Sequence, residues 1–197
     1  MSSSVDDSAR FFKIAWTFEA MLAVLAWLLG WIFDIDPTVW LTFSESAVWE
    51  AIQATLPLLL LFAVMQRLSY RSVLEIRRLL QQTMGVYLCR LHWSDWLLLA
   101  AIAGFAEELL FRGLLQQGLE VLWGMPAALV VSGLVFALAH AVTPLYAVLA
   151  FLMSVYLGLS MDLTAERNLL IPMLIHGLYD FVAFAVIAKA SFPDQGQ

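Results

Sequence analysis

The chain has 197 residues, of which 62% are hydrophobic and only 13% charged, and it carries a net charge of −6 at pH 7. That charge content is roughly half the level usual in a soluble domain, which points to lipid as the solvent, and the acidic balance excludes a nucleic-acid partner. The single cysteine, Cys89, excludes an intramolecular disulfide and any multi-cysteine metal site.

In chain order, a polar tail (1–10) precedes apolar stretches predicted to span the bilayer at 11–33 and 48–66. Between 68 and 93, Leu74, Ile76, Leu79 and Leu80 alternate with arginines, a pattern that suits either a helix in the inner headgroup layer or a connecting helix outside it. Four more spans are expected near 95–122, 126–142, 145–161 and 168–189, the first of them interrupted by charge, and a polar tail (191–197) closes the chain. The predicted fold is therefore all-α, a polytopic membrane helix bundle of about six transmembrane helices around an intramembrane polar cavity. It divides into two spans plus the basic segment (11–92) and a core of four helices (93–190). Of the two tails, Met1 to Asp7 and Pro193 to Gln197 are read as disordered.

Orientation follows from the cations. Arg10 and Lys13 open the first span, Arg67, Arg71, Arg77, Arg78 and Arg90 lie between the second and third, and Lys189 closes the last. The opposite loops carry Asp34, Asp36, Glu45, Asp162 and Glu166 with Arg167 alone among them, so both termini are expected in the cytoplasm, and the default membrane is a prokaryotic inner membrane.

The chemistry lies in charges placed where hydrocarbon should be. Glu107, Glu108 and Arg112 sit inside an apolar helix, where each charge costs on the order of 3 kcal/mol on insertion scales. Glu108 and Arg112 are four apart and can pair on one face, whereas Glu107 is rotated by about 100° and is free to face another group. His140 follows Phe136 by four at the inner end of the next span, and His176 and Asp180 stack one turn apart in the last. Counting rise from the span ends brings Glu107, His140, His176 and Asp180 into the inner half of the bilayer, within reach of a single cavity.

The three motifs, Glu107-Glu108-x-x-x-Arg112, Phe136-x-x-x-His140 and His176-x-x-x-Asp180, in this order on successive hydrophobic helices, resemble the signature of the CPBP (Abi) intramembrane proteases. That family includes the Ras-converting-enzyme type of CAAX prenyl endopeptidase. The resemblance covers roughly 95–185. It implies that Glu107 activates water with help from His140, that Glu108 and Arg112 shape and neutralise the site, and that His176 and the residue at 180 stabilise an oxyanion. Position 180 is Asp where the commoner pattern has Asn, and an ionised carboxylate cannot donate to an oxyanion, so Asp180 is expected to orient His176, act protonated, or ligate a metal. Glu107, His140, His176 and Asp180 suit a divalent metal such as zinc and equally suit water activation without one.

The function expected from the resemblance is hydrolysis of a peptide bond in a membrane-embedded or lipidated protein. A non-catalytic binding, immunity or assembly factor that keeps the same fold is the alternative. A small proton-relay transporter is the third reading, disfavoured because no inverted repeat is visible.

Overall fold

The computed structural model describes residues 2–191, with side chains from residue 6 onward. Helix α1 (Ser2–Phe33) leads to an extended loop and then to α2 (Glu45–Arg67), whose first turn is capped by the Ser44 hydroxyl accepting from the Ala47 N–H. The amino-terminal residues expected as a loose tail are thus helical from Ser2. Glycine and proline are absent before Gly30, and Asp6 and Asp7 lie near the positive end of the helix dipole. The tail expected beyond Ser191 falls outside the described residues.

Next comes α3 (Arg71–Leu80), which runs through a π-helical turn (Gln81–Gly85) into the short α4 (Val86–Leu88). Val73 and Ile76 are buried, and Leu88 packs with Leu99, Ile187 and Ala188 beneath Phe11 and Phe12. The basic segment therefore lies across one end of the bundle, over the start of α1 and the end of the chain's last helix. His92 begins the following helix as its N-cap, in a reciprocal capping box with Asp95.

Helix α5 (Trp93–Glu108) continues without a break through a π-helical stretch (Leu109–Gln116) into α6 (Gln117–Trp123), and Gly124, with φ of 78°, ends it. The charges predicted to interrupt this span are absorbed by the wider π turn instead. Helices α7 (Met125–Ala139) and α8 (Pro144–Ser160) form a hairpin, and α9 (Leu170–Ala190) closes the chain. No strand is present among the described residues.

Three helices are long and apolar enough to cross a bilayer by length and composition: Asp6–Phe33, Glu45–Arg67 and Leu170–Ala190. Helix α7, with 15 residues, is shorter. At about 1.5 Å per residue it rises about 22 Å, against a hydrocarbon core of about 30 Å. Measured from the α6–α7 corner, the turn at 140–143 therefore stops inside the thickness of the bundle.

The far end is tied by the 34–44 loop. Leu169 N–H donates to the Trp40 carbonyl at 2.8 Å, and the buried Asn168 side chain donates to the Thr42 carbonyl at 2.8 Å. Arg167 bridges Asp162 at 2.9 Å and Glu120 at 2.7 Å, and its hydrogen bond to Asp162, followed by that to Glu120, holds the guanidinium above its usual range.

Within lipid, helices associate by close packing rather than by exclusion of water. The α5–α9 crossing shows this at Gly104 and Gly177. A Cβ on Gly104 would meet the Met173 carbonyl oxygen at 2.7 Å and the Gly177 nitrogen at 2.8 Å, and a Cβ on Gly177 would meet the Ala100 carbonyl oxygen at 3.2 Å. Both contacts are with backbone, which cannot swing aside. Gly104→Ala is therefore expected to push α5 and α9 apart and cost about 1–3 kcal/mol, read as a lower melting midpoint in detergent; an unchanged midpoint would contradict this packing.

Candidate active site

The site grows from one face of the α5–π helix. The π turn, with more residues per turn than an α-helix, keeps Glu108, Arg112 and Gln116 on a common buried face. Glu108 Oε1 accepts from Arg112 Nη1 at 3.0 Å and lies 2.8 Å from His176 Nδ1 on α9. Arg112 Nη2 reaches across to α8 and donates to the Ser154 carbonyl at 2.7 Å and to its hydroxyl at 2.8 Å. The guanidinium also lies over the Phe136 ring of α7, 5.0 Å from its centroid. The ion pair expected from the four-residue spacing is present, with both side chains fully shielded. Its reach to Ser154 and His176 exceeds what spacing alone indicated. Removing either charge would leave the other buried and uncompensated, a loss of about 3–5 kcal/mol in such pairs.

Glu107 takes the separate direction its rotation implied. His140 lies at the C-terminus of α7, where its Nδ1 sits 2.9 Å from the Phe136 carbonyl oxygen. A carbonyl only accepts, so Nδ1 carries the proton, and in the neutral ring Nε2 presents its lone pair. That Nε2 stands 3.6 Å from Glu107 Oε2, and Glu107 Oε2 is buried with no hydrogen-bond partner. Two acceptors thus face each other at a spacing too long for a direct bond. A water molecule donating one hydrogen to each would satisfy both.

On α9, His176 Nε2 lies 3.6 Å from Asp180 Oδ2, so the ring stands between Glu108 on one nitrogen and Asp180 on the other. The imidazole is also set edge-on to Phe136, their centroids 6.1 Å apart. All six residues singled out from the sequence, Glu107, Glu108, Arg112, His140, His176 and Asp180, therefore meet in one cluster.

Sequence reasoning missed three contributors. Ser154 is one of several apolar-helix serines and carried no signal. Tyr146, at the start of α8, lies within electrostatic range of Asp180 and Glu107. Glu19 on α1 lies within range of His176, Asp180 and Glu107, and its Oε2 is buried without a partner. An acid in the middle of a membrane span was the signal that would have found it.

Among the described residues, no three His, Cys, Asp or Glu side chains are placed to hold an ion. His176 commits Nδ1 to Glu108, and the Glu107–His140 and His176–Asp180 pairs do not converge on a common point as a tetrahedral zinc requires. In this arrangement Glu107, His140, His176 and Asp180 do not fit zinc as a set.

Residues 89–182, just under half of the chain, match the family described as Type II CAAX prenyl endopeptidase Rce1-like. No curated protein and no solved structure matches the chain. The matched segment starts ahead of α5, ends beyond Asp180, and contains both glutamates, Arg112, both histidines and the α8 serine that completes the ion pair. That segment is thus similar to the Rce1-like type II CAAX prenyl endopeptidases, and the long apolar helices around it mark the chain as an integral membrane protein.

Proposed function

We propose that the protein is an intramembrane endopeptidase that cuts a membrane-bound, lipidated protein, using water activated by Glu107 and His140. The observation that carries this reading is Glu107 Oε2, buried, without a protein donor, and 3.6 Å from the His140 nitrogen that bears a lone pair. Glu108, by contrast, is tied through Oε1 to Arg112 and His176. A base must keep an oxygen free for the proton that it removes.

In the proposed reaction, Glu107 takes a proton from water while the water oxygen attacks the scissile carbonyl carbon. The carbonyl oxygen becomes an oxyanion, and His176 Nε2–H donates to it. The C–N bond then breaks, and the proton held by Glu107 passes to the leaving nitrogen. Glu108 fixes the His176 ring through Nδ1, and Asp180, which as a carboxylate accepts only, holds the ring from its other side. Arg112 holds Glu108 in place. No step requires a metal.

The prenyl specificity in the family's description suggests a prenylated or otherwise lipid-anchored substrate. The end of the bundle that gathers Arg10, Arg67, Arg71, Arg77, Arg78, Arg90 and Lys189 is assigned to the cytoplasm by the distribution of positive charge, with both termini there, in a prokaryotic inner membrane. The α7–α8 turn faces the same end and stops short of it, which would open the cavity toward that side.

Membranes from cells expressing wild type or Glu107→Gln at equal levels should differ in new peptide termini found by mass spectrometry. Termini confined to wild type are expected, with activity in the variant lower by at least about 10²-fold. Absence of such termini, together with full complementation of a deletion by Glu107→Gln, would favour a binding protein. A metal-free mechanism also predicts that chelation leaves cleavage of a farnesylated peptide in liposomes unchanged; loss under EDTA with recovery on adding zinc would overturn it.

A further inference from the structure

Helix α1 lies outside the family-matched segment, yet it supplies a carboxylate to the cluster, Glu19, whose Oε2 is buried without a hydrogen-bond partner and which makes no ion pair among the described residues. Glu108 is held by Arg112 and His176, Asp180 lies beside His176, and Glu107 faces His140. Glu19 has none of these, although it shares its helical face with Phe12, Ala15, Ala23 and Ala26, which pack into the bundle. Around the centre, four carboxylates face two imidazoles and one guanidinium. Such a surplus in a low-dielectric setting favours a cationic ligand.

From Glu19 a crevice of about 590 Å³ runs along α1 toward the helix start. Its walls are Phe11, Ile14, Ala15, Phe18 and Tyr87, and Arg10 and Asp7 stand at its far end. Tyr87 stacks on Phe11 at 4.8 Å, so α4 closes one side of it. Glu19 and Arg10 are separated by about 13 Å at about 1.5 Å per residue. An extended tripeptide spans about 10 Å, and the two side chains reach across the remainder. The volume is comparable with that of small-ligand clefts, and the groove is open along the outer side formed by Ile14 and Phe18.

We propose that this crevice binds the short apolar peptide released from the carboxyl side of the cut, its new amino group on Glu19 and its terminal carboxylate on Arg10. The inference rests on the proteolytic reading, because hydrolysis is what creates a cationic amine beside the cluster once the leaving nitrogen has been protonated. Charge complementarity selects this occupant over a lipid chain. A lipid tail would leave both Glu19 and Arg10 without partners, whereas a short zwitterionic peptide with aliphatic side chains satisfies both ends and the walls.

Binding without turnover separates this inference from the activity itself. Wild-type protein in liposomes would be titrated with the tripeptide Val-Ile-Leu, its N-acetyl form and its C-terminal amide. The free peptide is expected to bind about tenfold more tightly than either blocked form, as suits the loss of one charge-assisted contact. Glu19→Gln should erase the preference over the acetylated peptide while keeping that over the amide, and Arg10→Gln should do the reverse. Equal binding of all three peptides to wild type would overturn the proposal, as would an amine preference that survives in Glu19→Gln. Should Glu19→Gln fail to fold, the three peptides on wild type decide the matter alone. A missing amine preference in a protein that still produces new termini defeats this inference and leaves the protease reading intact.

Discussion

One carboxylate oxygen, Glu108 Oε1, holds the arrangement together. It lies within hydrogen-bond distance of Arg112 on its own helix and of His176 on α9, and through Arg112 it reaches Ser154 on α8. Three helices are thereby fixed relative to one another by a network that is almost wholly shielded from solvent. Burying such charges is unfavourable in itself, and the offset comes only when every partner is in place. The cost gives the bundle a strong preference for this register over slipped alternatives, in which a guanidinium or carboxylate would be stranded in hydrocarbon.

With Glu108 spent on structure, its neighbour is released for chemistry. The change of one residue along the helix turns Glu107 toward α7, and His140 at the end of α7 meets it. The two adjacent acids thus have different environments: Glu108 Oε1 lies within hydrogen-bond distance of both Arg112 and His176, whereas Glu107 faces only His140, at 3.6 Å. The same logic separates the histidines. His176 is held at Nδ1 by Glu108 with Asp180 3.6 Å from Nε2, whereas His140 is fixed at Nδ1 by the Phe136 carbonyl with Glu107 3.6 Å from Nε2. The outer loops contribute at a distance, since the ties from Trp40 and Thr42 to Leu169 and Asn168 set the start of α9, from which His176 projects.

Much of this was legible in the sequence. The apolar stretches marked the helices α1, α2 and α7 to α9 because length and hydropathy suffice in lipid, where every backbone group must be paired within its own segment. The spacing of Glu108 and Arg112 revealed their pair, and the rotation of Glu107 revealed its independence. The continuity of α5 through the π stretch was not legible, since no local composition specifies a wider turn; there it follows from the need to keep Glu108, Arg112 and Gln116 on one buried face. The N-cap role of His92 was not legible either, since it depends on Asp95 three residues on. Glu19 escaped because a single acid in a span has no partner at helical spacing; only packing of α1 against α5 brings it to the cluster. The side-chain arrangement sorts these residues into two pairs, Glu107 with His140 and His176 with Asp180, which donor types alone did not reveal.

The division of labour between the two adjacent glutamates is the central claim, and it is tested most directly by measuring cleavage and thermal unfolding together on Glu107→Gln and Glu108→Gln. The account predicts that Glu107→Gln loses cleavage while its melting midpoint stays with the wild type, and that Glu108→Gln melts at a clearly lower temperature because Arg112 and His176 lose their shared acceptor. Cleavage that persists in Glu107→Gln, or a Glu108→Gln protein as stable as the wild type, would contradict it.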